Sequence, residues 1–80
     1  MRLDKYLKVS RLIKRREAAK EMIEKGYVKV NDKIAKPSTE VKVSDIISVT
    51  TPLGKSIKVR IKEIRMISTV ADALKMYEAI

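Results

Sequence analysis

The side chains with the clearest chemical potential in this sequence are basic residues crowded into its first sixteen positions. Residues 2–16 contain seven arginines and lysines and one acid, Asp4. A guanidinium donates two parallel hydrogen bonds to a phosphate, and an ammonium adds a less directional positive charge. The seven basic residues are Arg2, Lys5, Lys8, Arg11, Lys14, Arg15 and Arg16. Their types and density indicate an anionic ligand.

Length and composition argue against an enzyme. Eighty residues form one small domain with a thin core and little room for a deep pocket. The chain has no histidine and no cysteine, which removes the commonest general base and the commonest metal ligands. We therefore expect a protein that is not an enzyme and that uses neither a metal nor another cofactor.

The overall charge favours nucleic acid as the partner. The formal net charge is +9, which indicates an anionic partner. The alternatives to nucleic acid are an acidic lipid, an acidic protein, or a basic surface that is only solvated. No apolar run approaches the roughly 20 residues that span a bilayer, and the charged start lacks the apolar segment of a secretory signal. We expect a cytoplasmic protein without a membrane partner, while DNA binding through the same charges stays open.

Two helices are predicted to position the basic residues. Leu3, Tyr6 and Leu7 fall on one side of a helix over residues 3–9, with the lysines of that segment on the opposite side. Asp4 lies in the first turn, where the helix dipole favours a carboxylate. An alternative role for Asp4 is to orient a neighbouring basic side chain, Arg2 or Lys8.

A second helix is predicted from about residue 15 to residue 25, after a connector in which Leu12 and Ile13 are buried. Its apolar face consists of Ala18, Ala19, Met22 and Ile23. Gly26 ends it, because the residue after a helix commonly needs a positive φ. Lys14 stands where a capping Ser, Thr or Asp is expected, so the first-turn N–H groups could meet a phosphate.

The periodicity then changes from helix to strand. Residues 27–30 alternate between apolar and polar side chains, and Asn31-Asp32 is a hairpin turn signal before a returning strand. Further strands are expected around residues 47–49 and 57–61. Two helices followed by strands indicate an α+β fold, with the helices packed on a small curved antiparallel sheet.

The C-terminal part is predicted to hold a bulge near Lys62-Glu63 and a final helix capped by Ser68 or Thr69. The apolar stripe of this helix is expected to consist of Val70, Leu74 and Tyr77. A second basic row, Lys58, Arg60 and Lys62, lies on the exposed face of the preceding strand. We interpret this row as protection of a sheet edge against pairing with another chain.

Four segments occur in the order typical of one RNA-binding family. They are residues 2–7 (RLDKYL), 14–18 (KRREA), 23–31 (IEKGYVKVN) and 44–49 (SDIISV). This progression resembles the alpha-L RNA-binding motif, or S-four (S4) domain, first named in the fourth protein of the small ribosomal subunit. The resemblance covers residues 1 to about 50 of a single domain over residues 1–80, with a further strand and helix over about 55–80. Lys14, Asp32 and Ser44 depart from the usual Ser, Gly and Gly.

The resemblance extends to one branch of that family. The unbroken basic run over residues 2–16, the ending over residues 73–77 (ALKMY) and the length are similar to the stand-alone RqcP (YabO-like) proteins. Bacterial heat-shock S4 proteins that recycle stalled large subunits are close relatives. Membership implies a factor that binds obstructed large ribosomal subunits carrying peptidyl-tRNA and supports RqcH-dependent alanine tailing of the trapped chain. The implied partners are large-subunit ribosomal RNA, peptidyl-tRNA and RqcH, and we expect a monomer.

The candidate RNA ligands are the basic residues of the two helices and one turn residue. We expect recognition of structured RNA by its backbone shape, with little base stacking, because the chain has three tyrosines and no Phe or Trp. Asn31 could equally serve only its turn, and Tyr27 is a weaker candidate for a base contact. The predicted set is Arg2, Lys5, Lys8, Arg11, Lys14, Arg15, Arg16, Lys20 and Asn31. The alternative function is a stand-alone RNA-binding module that serves an RNA-modifying enzyme or ribosome assembly.

Overall fold

The computed structural model describes residues 1–66 and 69–80, which form helices on one face of an antiparallel sheet. The α+β fold class predicted from the sequence is confirmed. The elements in chain order are α1 (Leu3–Val9), α2 (Arg16–Glu24), β1 (Val28–Val30), β2 (Lys33–Ile34), β3 (Ile46–Thr50), β4 (Ser56–Ile61), α3 (Val70–Met76) and β5 (Tyr77–Ala79).

The sheet joins the strands in the spatial order β2-β1-β3-β4-β5, and each neighbouring pair is antiparallel. Asn31 and Asp32 link β1 to β2 with φ values of 52° and 67°. Two consecutive left-handed residues are what a two-residue hairpin turn requires, because their twist matches that of the strands. The predicted hairpin is therefore present.

The core lies between the sheet and the first two helices. Leu3, Tyr6 and Leu7 of α1 are fully buried, as the helical spacing predicted. They pack in one cluster with Ala19 and Ile23 of α2 and with alternate residues of the strands. The strand residues of this cluster are Val28, Val30, Ile47, Val49, Val59 and Ile61. Leu12 and Ile13, expected to be buried, are only partly buried at the margin of the cluster.

The second helix begins one residue later than predicted. Arg15, and not Lys14, is its N-cap residue, and no side chain caps it there. Its C-terminal end follows the prediction, because Gly26 adopts a φ of 82°. Lys25 also forms the expected ion pair with Glu21 at 2.9 Å.

The C-terminal segment folds differently from the prediction. Thr69 caps α3 by accepting a hydrogen bond from the Asp72 N–H at 3.2 Å, while Ser68 lies outside the described residues. The predicted stripe is wrong: Val70 and Leu74 are 65% and 67% exposed, and Ala73 and Met76 are the buried residues of α3. Tyr77 instead begins β5, which pairs with β4. The pairing places the chain beyond α3 in the sheet and turns the other face of the helix inward.

Two further features of this segment bear on the sequence predictions. The N–H groups of Lys62 and Glu63 both donate to the Met76 carbonyl, which is the hydrogen-bond pattern of the predicted bulge. The interpretation of Lys58, Arg60 and Lys62 as edge protection is wrong. β4 lies between β3 and β5, so a short strand that the sequence did not reveal covers the expected edge.

Candidate nucleic-acid interface

The buried carboxylate of Asp4 joins basic residues from both N-terminal helices. Asp4 is only 2% exposed, although it lies in the first turn of a surface helix. Its Oδ2 accepts a hydrogen bond from Arg2 Nη2 at 3.2 Å, and its Oδ1 lies 3.5 Å from Arg16 Nη2. The same Oδ1 accepts from the Lys5 N–H at 2.8 Å. Asp4 therefore orients Arg2, as one prediction allowed, but its second partner is Arg16 and not Lys8.

The two guanidinium groups are held on one side and open to solvent on the other. The side chains of Arg2 and Arg16 are 47% and 49% exposed. Each guanidinium has five N–H donors, and the contact with Asp4 occupies only part of that set. The remaining donors can bind a second anion without breaking the contact with Asp4. We call Arg2, Asp4 and Arg16 the arginine cluster.

A cavity of about 290 Å³ opens beside the arginine cluster. Its lining includes all three members of the cluster together with Glu17 and Lys20 of α2. Three cations and two carboxylates thus surround it, for a net charge of +1. A concave surface lined by two arginines fits a phosphate group, because a guanidinium matches phosphate oxygens in a planar fork.

A loop of the chain fixes the start of α1 and with it Arg2. The N–H groups of Leu3 and Asp4 donate to the carbonyls of Thr39 at 2.8 Å and Pro37 at 3.2 Å. Arg2 itself forms an isolated antiparallel bridge with Glu40. These bonds satisfy first-turn donors that a side-chain cap would otherwise serve, since the N-cap Arg2 makes no such bond. These bonds fix the position of the backbone that carries Arg2.

The structure brings together three of the predicted RNA ligands, Arg2, Arg16 and Lys20, around one cavity. It places another, Lys5, beside the cluster, where its side chain turns towards Met66, with Nζ 3.9 Å from Sδ. The remaining basic candidates are exposed on α1, on the connector between the helices and at the start of α2. These residues are Lys8, Arg11, Lys14 and Arg15.

Asn31 has a clear structural task. Its Oδ1 accepts from the Ile46 N–H at 3.0 Å, and its Nδ2 donates to Asp45 Oδ1 at 3.1 Å. The second carboxylate oxygen of Asp45 accepts from the Lys42 N–H at 3.0 Å. Asn31 thus ties the β1–β2 turn to the turn that precedes β3. An RNA contact by Asn31 stays a prediction.

Two features of this surface were not predicted from the sequence. Glu17 of α2 lines the cavity, and Asp4 contacts Arg16, which is twelve positions away in the chain. The available signal was a single acid, Asp4, beside Leu3 in a strongly basic segment. The contact of Asp4 with Arg16 could not be predicted from the sequence, because it depends on how α1 packs on α2.

Comparison with known proteins agrees with this geometry. Residues 1–47 match the family model of the S4 domain. The chain belongs to the S4-domain family. The matched region contains both helices and the whole arginine cluster. The RNA-binding family inferred from the sequence motifs is therefore confirmed.

Two relatives match this S4-domain protein over nearly all of its length. A protein of Streptococcus pneumoniae named RQC P-site tRNA stabilizing factor is 49% identical over 80 residues, which cover all of this chain and 90% of the relative. A Bacillus subtilis protein of the same name is 44% identical over 78 residues, covering 96% of this chain and 88% of the relative. The predicted membership of the RqcP branch is confirmed by these matches.

The solved structure of heat shock protein 15 from Vibrio cholerae has the same fold. It superposes with a TM-score of 0.90 at 30% sequence identity, over 100% of this S4-domain protein and 81% of that chain. The predicted relation to bacterial heat-shock S4 proteins is thus supported by the complete backbone. Among the described helices, none is long and apolar enough to cross a bilayer.

Proposed function

We propose that this protein is a ribosome-associated quality-control factor that binds obstructed large ribosomal subunits carrying peptidyl-tRNA. In this role it supports RqcH-dependent alanine tailing of the stalled chain. The observation that carries the proposal is the arginine cluster within an S4 domain whose full-length relatives are named RQC P-site tRNA stabilizing factors. The chain acts in the cytoplasm as a single domain over residues 1–80, as a monomer and without catalysis.

The arginine cluster supports recognition of an RNA backbone. A-form RNA hides its base edges in a deep, narrow groove, so proteins read structured RNA largely through phosphates and ribose hydroxyls. Two guanidinium groups fixed by one carboxylate present donors in a defined geometry, which favours a particular arrangement of phosphates over diffuse attraction. Large-subunit ribosomal RNA and peptidyl-tRNA both offer such backbones.

Individual residues take different parts in this proposal. Arg2 and Arg16 bind phosphate directly, and Lys20 supplies charge at the same cavity. Exposed residues extend the positive field along α1 and the start of α2, where it steers RNA towards the cluster. The residues of this field are Lys5, Lys8, Arg11, Lys14 and Arg15. Asn31 supports the neighbouring turns, and its additional RNA contact is part of the proposal.

The rigidity of the surface also supports a stabilising role. Tyr6 lies on the inner side of α1 and donates a hydrogen bond to the Met76 carbonyl at 2.8 Å. This bond fixes α1 to the C-terminal segment, 70 positions away in the chain. A surface that does not rearrange loses little conformational entropy on binding, so its contacts contribute more fully to holding an RNA in place.

The test is recovery of the tagged protein from cells in which translation has been stalled. The expected result is co-purification of large subunits, peptidyl-tRNA and RqcH with the wild-type chain. A variant with Arg2→Ala and Arg16→Ala should recover much less of all three. A variant with Arg60→Ala is a matched control, because Arg60 also pairs with a carboxylate and is equally exposed. Recovery of protein free of large subunits and peptidyl-tRNA from the wild type would contradict the proposed function.

A further inference from the structure

One carboxylate in the cavity beside the arginine cluster has no partner within the described protein. Asp4 is occupied by Arg2 and Arg16, at distances of 3.2 and 3.5 Å. Glu17 lines the same cavity and is exposed. Within the described residues, no ion pair or side-chain hydrogen bond engages the Glu17 carboxylate. Its two acceptor oxygens are therefore available to a ligand.

The stability of α2 gives little reason for this carboxylate to stay unpaired. Residues four positions apart on a helix are neighbours, and opposite charges at that spacing attract each other. The helix uses this arrangement between Glu21 and Lys25, whose charged groups are 2.9 Å apart. Beside the cavity it places like charges at the same spacing, Arg16 with Lys20 and Glu17 with Glu21. This pattern costs helix stability, which indicates that the charges serve a ligand.

The helix dipole is a structural reason for an acid at this position. Glu17 lies in the first turn of α2, where the dipole favours negative charge. That effect is the same whichever nucleic acid is bound, so it predicts no discrimination between ligands. A role in the helix and a role in recognition can therefore be separated by a measurement of specificity.

A carboxylate is an unusual group in a cavity that binds phosphate, because the two negative charges repel each other. It only accepts hydrogen bonds, so a ligand must offer it a donor. Phosphate oxygens are acceptors, and a deoxyribose backbone has no donor along its length. The ribose 2′-hydroxyl is the one donor that the backbone of an RNA strand carries along its length. The backbone group that Glu17 can bind is thus a 2′-hydroxyl.

The cavity has room for a phosphate together with part of the adjoining ribose. Its volume of about 290 Å³ is many times the roughly 30 Å³ that one water molecule takes up in the liquid. In an RNA strand, the 2′-hydroxyl lies on the carbon next to the one that carries the phosphate. Arg2, Arg16 and Glu17 line this one cavity, so both groups of a nucleotide can be met there. Lys20 also lines it and keeps the charge of the lining positive.

We propose that Glu17 determines the specificity of the arginine cluster for RNA over DNA. Arg2 and Arg16 bind a backbone phosphate, and the Glu17 carboxylate accepts a hydrogen bond from the adjacent ribose 2′-hydroxyl. A hydrogen bond from a hydroxyl to a carboxylate is charge-assisted, which makes it stronger than one between neutral groups. The inference rests on the proposed function and adds to it the group by which the cavity distinguishes RNA from DNA.

A backbone without the 2′-hydroxyl is disfavoured for two reasons. The hydrogen bond is lost, and the Glu17 carboxylate then faces a phosphate without a donor to replace the water that it gives up. Because Glu17 is exposed, the remaining water compensates for part of this loss. We therefore expect moderate discrimination, of about fivefold in affinity.

The test compares the affinities of the full-length protein for two hairpins of one sequence, in ribose and in 2′-fluoro form. Fluorescence anisotropy at fixed salt measures both. The fluoro strand keeps the A-form helix, the bases and the phosphates but has no 2′-hydroxyl donor. The wild-type chain should bind the ribose hairpin about fivefold more tightly than the fluoro hairpin. Glu17→Ala should bring this ratio close to one, because the ribose complex alone loses a hydrogen bond. Glu17→Gln should give an intermediate ratio, since its amide oxygen still accepts.

The matched control is Glu24→Ala, which removes the same charge from an exposed position of the same helix that does not line the cavity. It should keep the wild-type ratio. A ratio unchanged by Glu17→Ala would overturn the inference, as would an equal fall of the ratio in Glu24→Ala. A wild-type chain that binds both hairpins equally well overturns the inference and leaves the proposed function standing. A wild-type chain that binds neither hairpin contradicts the proposed function itself.

Discussion

Asp4 Oδ1 and Arg16 Nη2 lie 3.5 Å apart, although twelve positions separate the two residues in the chain. The contact crosses from the first turn of α1 to the first residue of α2. With Arg2 on the other carboxylate oxygen, it converts two mobile side chains into one oriented pair. Everything proposed for the helical surface depends on this arrangement.

The Arg16→Ala substitution should weaken binding to large subunits or to an RNA hairpin by about tenfold, because one charge-assisted contact is lost. Arg16→Lys should give an intermediate affinity, since it keeps the charge but not the planar fork. The free energy of unfolding should change by less than about 1 kcal/mol, because the Arg16 guanidinium is half exposed and Arg2 still neutralises the buried Asp4 carboxylate. Fluorescence anisotropy and urea unfolding measure the two effects. An Arg60→Ala control that loses as much affinity would argue against a localised site.

Salt should weaken the binding steeply, because phosphates neutralised by the protein release their counterions. The slope of log affinity against log salt should be less steep for the Arg2→Ala, Arg16→Ala variant by about one to two. Titrations at several potassium chloride concentrations measure both slopes. Parallel slopes for the wild type and the variant would show that these arginines do not contact phosphate.

Asn31→Ala should lower the free energy of unfolding by about 2 kcal/mol, because it removes two turn hydrogen bonds and places alanine at a positive φ. Asn31→Gly should cost less, since glycine adopts that conformation without strain. Urea unfolding of both variants ranks these costs. RNA affinity is then measured under conditions in which both variants are fully folded, which separates the structural task of Asn31 from its predicted RNA contact. A lower affinity than that of the wild type under those conditions supports the contact.

Burial raises the pKa of the Tyr6 hydroxyl above its usual range, and the nearby Tyr77 and Glu63 add to the effect. The folded protein therefore keeps Tyr6 protonated where the unfolded chain ionises, near pH 10. The stability that this group provides is complete below pH 10 and declines as the pH rises further. Tyr6→Phe should cost about 1 kcal/mol at neutral pH, and its deficit should shrink in alkali. Urea unfolding at neutral pH and above pH 10 measures the change, with Tyr27→Phe as the control. A deficit that does not vary with pH would contradict this account.

Local signals were sufficient to predict the N-terminal half of the fold. Three predictions rested on residues only a few positions apart, and all three match the structure. They are the apolar spacing in α1, the end of α2 at Gly26 and the turn at Asn31-Asp32. The N-cap of α2 was misplaced by one residue. No side chain caps the helix there, so no capping residue marked its start.

The C-terminal half depended on contacts that sequence periodicity does not encode. A helical stripe of Val70, Leu74 and Tyr77 was reasonable from spacing, but pairing of β5 with β4 takes Tyr77 out of the helix. The same pairing turned the supposed edge strand into an interior one. In the candidate site, the basic residues could be identified from their type alone. The pairing of Asp4 with both Arg2 and Arg16 could not be predicted, because it depends on how α1 packs on α2.

The central claim is that Asp4 positions the two arginines, and the affinity of Asp4→Asn for an RNA hairpin at fixed salt tests it most directly. Asparagine keeps the shape and an acceptor for the Lys5 N–H, but it removes the charge that holds both guanidinium groups. Simple electrostatics predicts tighter binding, because the net positive charge rises by one. The positioning account predicts binding weaker by about threefold or more, while a Glu24→Gln control with the same change in charge binds at least as tightly as the wild type. Equal or tighter binding by Asp4→Asn would contradict the account.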